Sequence, residues 1–458
     1  MGLKSSKVTS WSKFCSLIAI TFLLFILSNI ILIHLMFEQK FKWPEKDYNS
    51  PYFQTLKMYF IKGQSDWKLF INVSNKTNLM NLLLPKPKQM MDCKSLENSK
   101  EHIYIATGWT KVSYSAKLYD KDIAIKTVNV YGRDVRECLK WDSNVRLLDC
   151  YQLAAAKILR EIFLLQKLIH PNVIEMLGYC VPVIDYNGAQ SSSVSVITEL
   201  GQPIDIISLL QMSWEDRLRV SLGMAHLLYH LAHSSLGSLL MSDFRRQQFV
   251  LVRGKLKLSD VDDIIIGDPK CSSKKNCTSY FTQQNLTLTV PCQKGICSGL
   301  NEKQNIIHAG RHFMSFILPH GVPGKLQPFV DKIVDAYSKG SWDSEKLLQK
   351  TEEVVYLFIN GFYRNTLSEK NALKNYRIYN NSDLPGLFDY HCQLTLSGHG
   401  CTLSVFDTEE AAKICSGDPE CKAFVLTNDT TWSGRKIVHF KNGYKTPVKS
   451  LTTLFVKN

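Results

Sequence analysis

Two aspartates flank a short β-hairpin pattern in the second half of the chain. The strand-like runs Phe249–Val252 and Lys255–Leu258 are separated by the two residues Arg253 and Gly254, a spacing typical of a tight hairpin. Asp243 precedes the first run and Asp260 follows the second. Because a hairpin returns the chain to its starting point, the two carboxylates are predicted to face the same site.

Phosphoryl transfer from ATP requires a lysine on the phosphates, a glutamate that orients it, a metal-binding carboxylate and a carboxylate that accepts the proton of the acceptor. The chain carries candidates in the order of a protein kinase: Lys126 in a strand-like "AIK", Glu161 in "ILREIFLLQKLIH", then Asp243 as the catalytic base and Asp260 as the metal ligand. Each residue alone has an ordinary alternative, such as a solvated lysine, an exposed helical glutamate or a turn aspartate. Their order favours the kinase interpretation.

Further positions complete the predicted nucleotide site, with ATP and Mg²⁺ or Mn²⁺ as cofactors. Gly108 in "ATGWTKVSY" is the one clear glycine of a phosphate-covering loop, and Gln248 follows Asp243 where kinases place a second metal ligand. Thr198 in "VITELG" is the predicted gatekeeper next to the adenine. The hinge residues expected to line the adenine are Glu199, Leu200 and Gly201.

The chain also departs from the kinase pattern. Met241 and Ser242 replace the His-Arg before the catalytic aspartate, Asp260-Val-Asp262 replaces Asp-Phe-Gly, and no Ala-Pro-Glu closes the activation segment. These departures leave open a catalytically impaired pseudokinase scaffold. The activation segment carries four cysteines that we expect to be disulfide-bonded, which would hold an active shape without phosphorylation: Cys271, Cys277, Cys292 and Cys297.

An apolar run near the N-terminus predicts the cellular compartment. Residues Cys15–Phe37 are long enough to cross a bilayer, and Lys4, Lys7 and Lys13 before them predict a cytosolic N-terminus. The run is therefore interpreted as a type II membrane anchor, with a cleavable signal peptide as the alternative. Either interpretation sends the remaining chain into the Golgi lumen or outside the cell.

Glycosylation sequons and cysteines agree with this compartment. Of 13 cysteines, Cys15 lies in the apolar run, and the other twelve form an even set suited to disulfides, whose pairing the sequence leaves open. The Asn-x-Ser/Thr acceptors are Asn72, Asn75, Asn276, Asn285, Asn380 and Asn428.

The pattern of elements predicts an α+β, bilobal protein-kinase-like fold between an N-terminal anchor and a small cysteine-rich C-terminal module. Strand-like runs come first, and helical patterns such as "SWEDRLRVSLGMAHLLYHLAH", with Ser213 and Asp216 as its start signal, come later. The predicted segments are 1–37 (tail and transmembrane anchor), 38–98 (luminal stem), 99–370 (kinase-like domain, with a β-rich lobe 99–200 and a helical lobe 201–370) and 371–458 (cysteine-rich module).

Several longer strings resemble one family. "LREIFLLQKLIHPNVIEMLGYC", "ITELGQPIDIISLLQMSWEDR", "DFRRQQFVLVRGKLKLSDVDD" and "CKAFVLTNDTTWSGRKIVHFK" are similar to the extracellular tyrosine-protein kinase family, also called vertebrate lonesome kinase. The resemblance implies a Golgi or extracellular kinase for tyrosines of secreted and extracellular-matrix proteins. It also implies that Gln248 and the Asp-x-Asp are tolerated. Arg246 and Arg253 stand where that family carries proline and aspartate.

Charge and residue types constrain the partners without fixing the acceptor. The net charge of +14 suits acidic proteins, anionic glycans or membrane surfaces. No arginine-aromatic array or zinc-finger spacing is present, so nucleic acid is not an expected partner. Nothing in the residues themselves separates a tyrosine kinase from a Golgi kinase for serine or sugars, and the tyrosine prediction rests on the resemblance.

Overall fold

A computed structural model describes residues 90–458 apart from 141–144, 182–192, 274–276, 283–284, 393–394 and 397–399. The predicted anchor, most of the predicted stem, and Asn72, Asn75 and Asn276 lie outside this part of the chain. Within it, no helix has the length and apolarity needed to cross a membrane. The described residues belong to one compact unit.

A five-stranded antiparallel sheet forms the first lobe, in the order β1-β2-β3-β5-β4. In β3, Ile123 and Ile125 pack into a core with Ile197 on one face, while Lys126 and Val128 fall on the other face because side chains alternate along a strand. Its strands are β1 Lys100–Thr107, β2 Lys111–Leu118, β3 Lys121–Val128, β4 Met176–Cys180 and β5 Ser195–Glu199.

Three helices accompany this sheet. The largest, α3, buries Ala154, Ile158, Ile162 and Leu165, a helical stripe that packs in the same core as Val128. It begins at Leu147, where the Cys138–Cys150 disulfide joins its first turn to α2, and it ends at Lys167. The helices are α1 Cys93–Glu97, α2 Arg133–Cys138 and α3 Leu147–Lys167.

Residues 90–98 belong to this lobe, which corrects the prediction that the stem extends to residue 98. The Met91 N–H donates to the Leu177 carbonyl oxygen at 3.1 Å, and the Cys93–Cys180 disulfide fixes α1 to β4. A Cβ atom added at Gly178 would lie 2.1 Å from the Met91 carbonyl oxygen. Only glycine therefore allows this close approach of the two backbones.

The second lobe is mainly helical and surrounds the long α5. This helix begins as predicted, because the Ser213 hydroxyl accepts a hydrogen bond from the Asp216 N–H at 3.1 Å. It is buried on most of its surface and packs against α9. The helices of the lobe are α4 Ile206–Gln211, α5 Trp214–Ala232, α6 Leu300–Ala309, α7 Ser315–Ile317, α8 Gln327–Lys339, α9 Ser344–Ile359 and α10 Thr366–Leu373, with a π-helical turn at Gly310–Met314 and a 3₁₀ turn at Gly324–Leu326.

The predicted hairpin is present between the two lobes. Its strands are joined by Arg253 and Gly254, and Phe249 pairs with Leu258 at its open end. β6 adds a third strand to it. The strands in this region are β6 Gln202–Pro203, β7 Leu239–Met241, β8 Phe249–Val252, β9 Lys255–Leu258 and β10 Ile264–Ile266.

The activation segment after β10 contains two small hairpins joined by disulfides. Cys271 bonds Cys292 and Cys277 bonds Cys297, which confirms the prediction that these four cysteines are disulfide-bonded. The expectation that helices dominate after the first lobe is wrong for this stretch. Its strands are β11 Thr278–Phe281, β12 Leu286–Thr289, β13 Cys292–Gln293 and β14 Ile296–Cys297.

The C-terminal region contains a second five-stranded antiparallel sheet, in the order β15-β21-β18-β19-β17, with α11 packed on it. Two disulfides, Cys392–Cys401 and Cys415–Cys421, lie within it, so all twelve cysteines expected in the lumen are paired. Its elements are β15 Tyr376–Tyr379, β16 Ser382–Asp383, β17 Cys401–Val405, α11 Thr408–Gly417, β18 Ala423–Thr430, β19 Lys436–Lys441, β20 Val448–Lys449 and β21 Thr453–Lys457.

Candidate active site

A buried ion pair joins β3 to α3 at the back of the cleft between the lobes. The Lys126 ammonium lies 2.7 Å from Glu161 Oε1, and the Glu161 side chain is fully buried. Lys126 also donates to the Ser259 carbonyl oxygen at 2.5 Å, directly before Asp260. Two residues predicted from distant parts of the sequence are thus brought into contact, next to a third.

A second lysine, which the sequence analysis did not single out, enters the same site. The Lys111 ammonium, from the first residue of β2, lies 2.7 Å from Glu161 Oε2, 2.5 Å from Asp260 Oδ1 and 3.2 Å from Asp262 Oδ2. Glu161 therefore binds one lysine with each carboxylate oxygen. A lysine at the start of a strand is normally solvated, so the sequence carries no signal for this role.

The base of the cleft brings Asp243 and Asp260 together, as the hairpin predicted. The side-chain N–H of Gln248 donates to Asp243 Oδ2 at 2.6 Å, and the backbone carbonyl oxygen of Gln248 accepts from the Ser259 N–H at 2.7 Å. Arg245 also forms an ion pair with Asp243. One small pocket contains the acidic groups; it is lined by Met241, Ser242, Asp243, Gln248, Asp260, Asp262, Asp263 and Ile264.

Burial and the lysines divide the charge among these carboxylates. Burial favours the protonated form of Asp260, but Lys111 and Lys126 outweigh it and lower the pKa of this carboxyl. Burial raises the pKa of Asp262 to about 8, and the neighbouring Asp260 charge adds to this effect. The pKa of Lys111 is raised because Glu161, Asp260 and Asp262 together outweigh its desolvation. Asp260 is therefore the more acidic member of the Asp-x-Asp pair.

The residues predicted to form the hinge lie where β5 leaves the sheet. Thr198 is almost fully buried, as expected of a gatekeeper position beside the cleft. The Glu199 carboxylate is held by the Glu175 N–H at 2.8 Å and by an ion pair with Lys257 of β9. A Cβ atom at Gly201 would lie 2.5 Å from Val250 Cγ2, so glycine lets the hinge pass close to β8. Leu200 lies between these two, half-buried and outside any strand.

Gly108 lies in the three-residue loop between β1 and β2. Its N–H donates to the Lys111 carbonyl oxygen at 2.7 Å, which closes a tight turn. The loop is held to α3 through Asp134: the Thr110 hydroxyl donates to Asp134 at 2.5 Å, and Asp134 also binds Lys157 of α3 at 2.7 Å. The turn thereby places Lys111 at the mouth of the cleft.

An asparagine holds the backbone before Asp243, in the predicted catalytic loop that lacks the usual His-Arg. Asn305 of α6 accepts from the Met241 N–H at 3.0 Å and donates to the Leu239 carbonyl oxygen at 2.7 Å. Phe244, directly after Asp243, is buried and packs against Phe249 and His308. Asn305 was missed in the sequence because a helical asparagine has no motif around it.

Three of the predicted glycosylation sites lie in the described part of the chain, and each is exposed: Asn285, Asn380 and Asn428. Asn285 follows β11 in the loop of the activation-segment hairpin, and Asn380 follows β15. Asn428 lies in β18 and donates to the Leu451 carbonyl oxygen at 3.3 Å. A glycan at any of them would extend from the surface.

The donor set fits a nucleotide and a divalent ion. Carboxylate and amide oxygens, as Asp260, Asp262 and Gln248 provide, are the ligands that Mg²⁺ and Mn²⁺ prefer. The carboxylates of Asp260 and Asp262 already bind a cationic group, the Lys111 ammonium. Lys126 is oriented by a buried glutamate, the arrangement that phosphate binding requires in kinases.

Comparison with known proteins agrees with this geometry. The family model described as the protein-kinase domain of FAM69 matches residues 156–339. The extracellular tyrosine-protein kinase PKDCC of Homo sapiens is 40% identical over 364 residues, which cover 79% of this chain and 72% of that protein. The matched regions contain Glu161, Asp243 and Asp260 of the cleft.

Proposed function

The chain belongs to the family of the extracellular tyrosine-protein kinase PKDCC, and we propose that it is an ATP-dependent protein-tyrosine kinase of the secretory pathway and extracellular space. One observation carries the proposal: Lys126, Glu161, Asp243 and Asp260, in kinase order along the sequence, converge on one cleft. Six disulfides suit an oxidising compartment.

Each side chain has a role that its contacts support. Lys126, steadied by Glu161, would contact the phosphates of ATP. Asp260, with Asp262 and Gln248 as further oxygen donors, would hold the metal ion, which supplies neutralisation of phosphate charge. Thr198 and the backbone of Glu199, Leu200 and Gly201 would line the adenine, and Gly108 would lie over the phosphates.

Asp243 would accept the proton of the acceptor hydroxyl. The hydroxyl oxygen would at the same time bond to the γ-phosphorus of ATP, and the bond between that phosphorus and the β-γ bridging oxygen would break. Asp243 Oδ2 already accepts from Gln248 at 2.6 Å and binds Arg245, so both partners orient this carboxylate. The orientation would present Oδ1 to the acceptor. Gln248 would thus serve the base as well as the metal.

The acceptors we propose are tyrosines of secreted and extracellular-matrix proteins. The name of the human relative, an extracellular tyrosine-protein kinase, supports tyrosine acceptors and an extracellular location. The N-terminal apolar run would tether the chain to the Golgi membrane as a type II anchor, and cleavage after this run would release the chain. Nucleic acid is not among the proposed partners.

Phosphotyrosine formation tests the proposal directly. The full chain, expressed in secretory cells, is incubated with ATP, Mn²⁺ and a mixture of secreted proteins, and phosphotyrosines are mapped by mass spectrometry. We expect phosphotyrosine from the wild type and at least about a hundredfold less from Asp243→Asn, because general-base groups contribute about 10² to 10⁴ in rate. Equal signals from the two proteins would refute catalysis by this site, and phosphoserine alone would refute the tyrosine assignment.

A pseudokinase scaffold is the second candidate, and two observations favour it. Lys111 binds the carboxylates that a metal ion would need, and Met241-Ser242 replace the His-Arg of active kinases. Thermal unfolding with ATP and Mn²⁺ separates the two candidates. At an ATP concentration a hundred times its Kd, a kinase gains about 2.7 kcal/mol in the free energy of unfolding, whereas a scaffold that does not bind nucleotide gains none.

A further inference from the structure

Lys111 and Lys126 share Glu161 but differ in their other contacts. Besides Glu161, the Lys126 ammonium donates to a backbone carbonyl oxygen, that of Ser259, at 2.5 Å. The Lys111 ammonium is completed by two acidic side chains, Asp260 at 2.5 Å and Asp262 at 3.2 Å. Only Lys111 therefore uses the carboxylate oxygens that a divalent cation would need.

These contacts are enclosed rather than loose surface pairs. The side chains of Lys111 and Asp262 are 11% and 7% exposed, and that of Glu161 is fully buried. A divalent ion binds carboxylate oxygens at about 2.0 to 2.6 Å, which is shorter than the contacts of an ammonium with the same atoms. Two cations of the same sign cannot share Asp260 Oδ1 at such distances without strong repulsion.

We propose that Lys111 is a built-in cation of the metal site, which competes with the divalent ion for Asp260 and Asp262. The inference rests on the proposed nucleotide site and adds a positioning residue to it. Binding of the divalent ion requires the Lys111 ammonium to leave Asp260, and the triphosphate is the anionic group available to receive it. Metal and nucleotide would therefore bind with positive cooperativity, and metal alone would bind weakly.

The turn at Gly108 explains how Lys111 can exchange partners. The β1–β2 loop is fixed by the Thr110–Asp134 and Lys157–Asp134 contacts, so the backbone of Lys111 stays at the mouth of the cleft. The long side chain alone has to move. A lysine has several rotatable bonds, and such a movement needs no change in the sheet.

The inference is tested by measuring how tightly the full chain binds Mn²⁺ in the absence of nucleotide. The EPR signal of free Mn²⁺ reports how much of the ion remains unbound. Replacing Lys111 by methionine keeps the length of the side chain and removes its charge. We expect Lys111→Met to bind Mn²⁺ about 10- to 100-fold more tightly than the wild type, the range found when partners of metal ligands are altered. Lys111→Arg keeps the charge and is expected to bind Mn²⁺ within about threefold of the wild type.

Lys126→Met is the matched control, because it removes the other lysine of Glu161 without freeing Asp262. We expect it to change Mn²⁺ affinity less than Lys111→Met does. An unchanged or weaker Mn²⁺ affinity of a folded Lys111→Met protein would overturn the inference, as would equal effects of the two methionine variants.

A measurement on the wild type covers the case in which Lys111→Met does not fold. Acetic anhydride labels accessible lysines, and mass spectrometry compares Lys111 with Lys126 with and without Mn²⁺. We expect Mn²⁺ to raise the labelling of Lys111 relative to Lys126, and an unchanged ratio overturns the inference. A protein that shows this competition but forms no phosphotyrosine refutes the proposed function alone, whereas phosphotyrosine without competition refutes only the role of Lys111.

Discussion

Arg253 adopts a left-handed backbone conformation in the turn between β8 and β9, with φ of 50°, and Gly254 follows with φ of 72°. Such turns favour asparagine, aspartate or glycine at the first position, because a Cβ atom of other residues crowds the backbone there. The Arg253 side chain is exposed. We expect Arg253→Asn to raise the free energy of unfolding by about 0.5 to 1 kcal/mol, measured by urea denaturation.

Alanine at the same position is the control for this prediction. Arg253→Ala removes the same charge and keeps the Cβ atom, so it should leave stability within about 0.5 kcal/mol of the wild type. If Ala and Asn stabilise the protein equally, the loss of a positive charge, and not relief of the backbone, is the cause.

Single residues also show which parts of the site the sequence could reveal. Lys126, Glu161, Asp243 and Asp260 were predictable because each lies in a motif whose order along the chain is that of kinases. Lys111 was not, because its partners come from α3 and from the segment after β9, 50 and 149 residues away. Contacts over such separations follow from the fold and leave no local pattern.

At the scale of elements, a histidine pair links the loop after α3 to α5. The His170 ring stacks on His230 at 4.4 Å, and its Nδ1 accepts from the Asn172 N–H at 3.1 Å. Burial lowers the pKa of His170 to about 4, and the nearby His230 and His226 add to the effect. The folded protein thus disfavours the protonated ring.

This pair predicts a loss of stability in mild acid. Above about pH 6.5 His170 is neutral in both states and contributes no pH dependence, whereas between 6.5 and 4 only the unfolded chain binds the proton. Because the ring is half-buried, we expect His170 to account for about 1 kcal/mol of the decrease in the free energy of unfolding between pH 7.5 and 5. In His170→Gln this part of the decrease should be absent, as measured by urea denaturation at the two pH values. His320→Gln, at an exposed position, should keep the pH dependence of the wild type.

The activation segment is another element-scale case, because two disulfides lie in a segment that many protein kinases order by phosphorylation. The half-buried Cys271 and Cys292 close a loop with a sequence separation of 21. We expect the wild type to stay active after phosphatase treatment. Replacing both cysteines by serine should lower kcat/KM by about tenfold, equivalent to ~1.4 kcal/mol of lost positioning.

Cys415 and Cys421, which form a disulfide in the C-terminal sheet region, provide the comparison. Replacing this pair by serine should lower thermal stability and leave kcat/KM of the remaining folded protein unchanged. An equal loss of kcat/KM in both double variants would mean that general destabilisation, and not the shape of the activation segment, limits catalysis.

Element predictions succeeded where a periodic pattern was strong. The strand around Lys126, the helical pattern of α5 and the two-residue turn of the hairpin all appear in the structure. The strands between Thr278 and Cys297 were not foreseen, because they are short and are held by disulfides whose pairing the sequence does not encode.

At the scale of the whole molecule, a buried polar network joins the C-terminal region to the helical lobe. Glu215, in the first turn of α5, is 3% exposed and accepts hydrogen bonds of 2.5 Å from Ser404, Thr431 and Ser433. Arg435 lies 3.8 Å from Glu215 and 3.1 Å from Glu410 of α11. The region that the cysteines predicted as a separate stapled module is thus attached through groups that must stay paired when buried.

This attachment predicts that the two regions unfold together. Glu215→Ala leaves three hydroxyls and a guanidinium without their shared acceptor, so we expect a loss of about 3 kcal/mol in the free energy of unfolding. Hydrogen exchange followed by mass spectrometry should show faster exchange in peptides of both α5 and β17 to β19. Glu353→Ala, which removes a half-exposed pair with Lys350, should cost at most about 0.5 kcal/mol and leave both regions unchanged. Faster exchange confined to the C-terminal sheet would show instead that this sheet is an independent folding unit, and that the catalytic lobes do not depend on it.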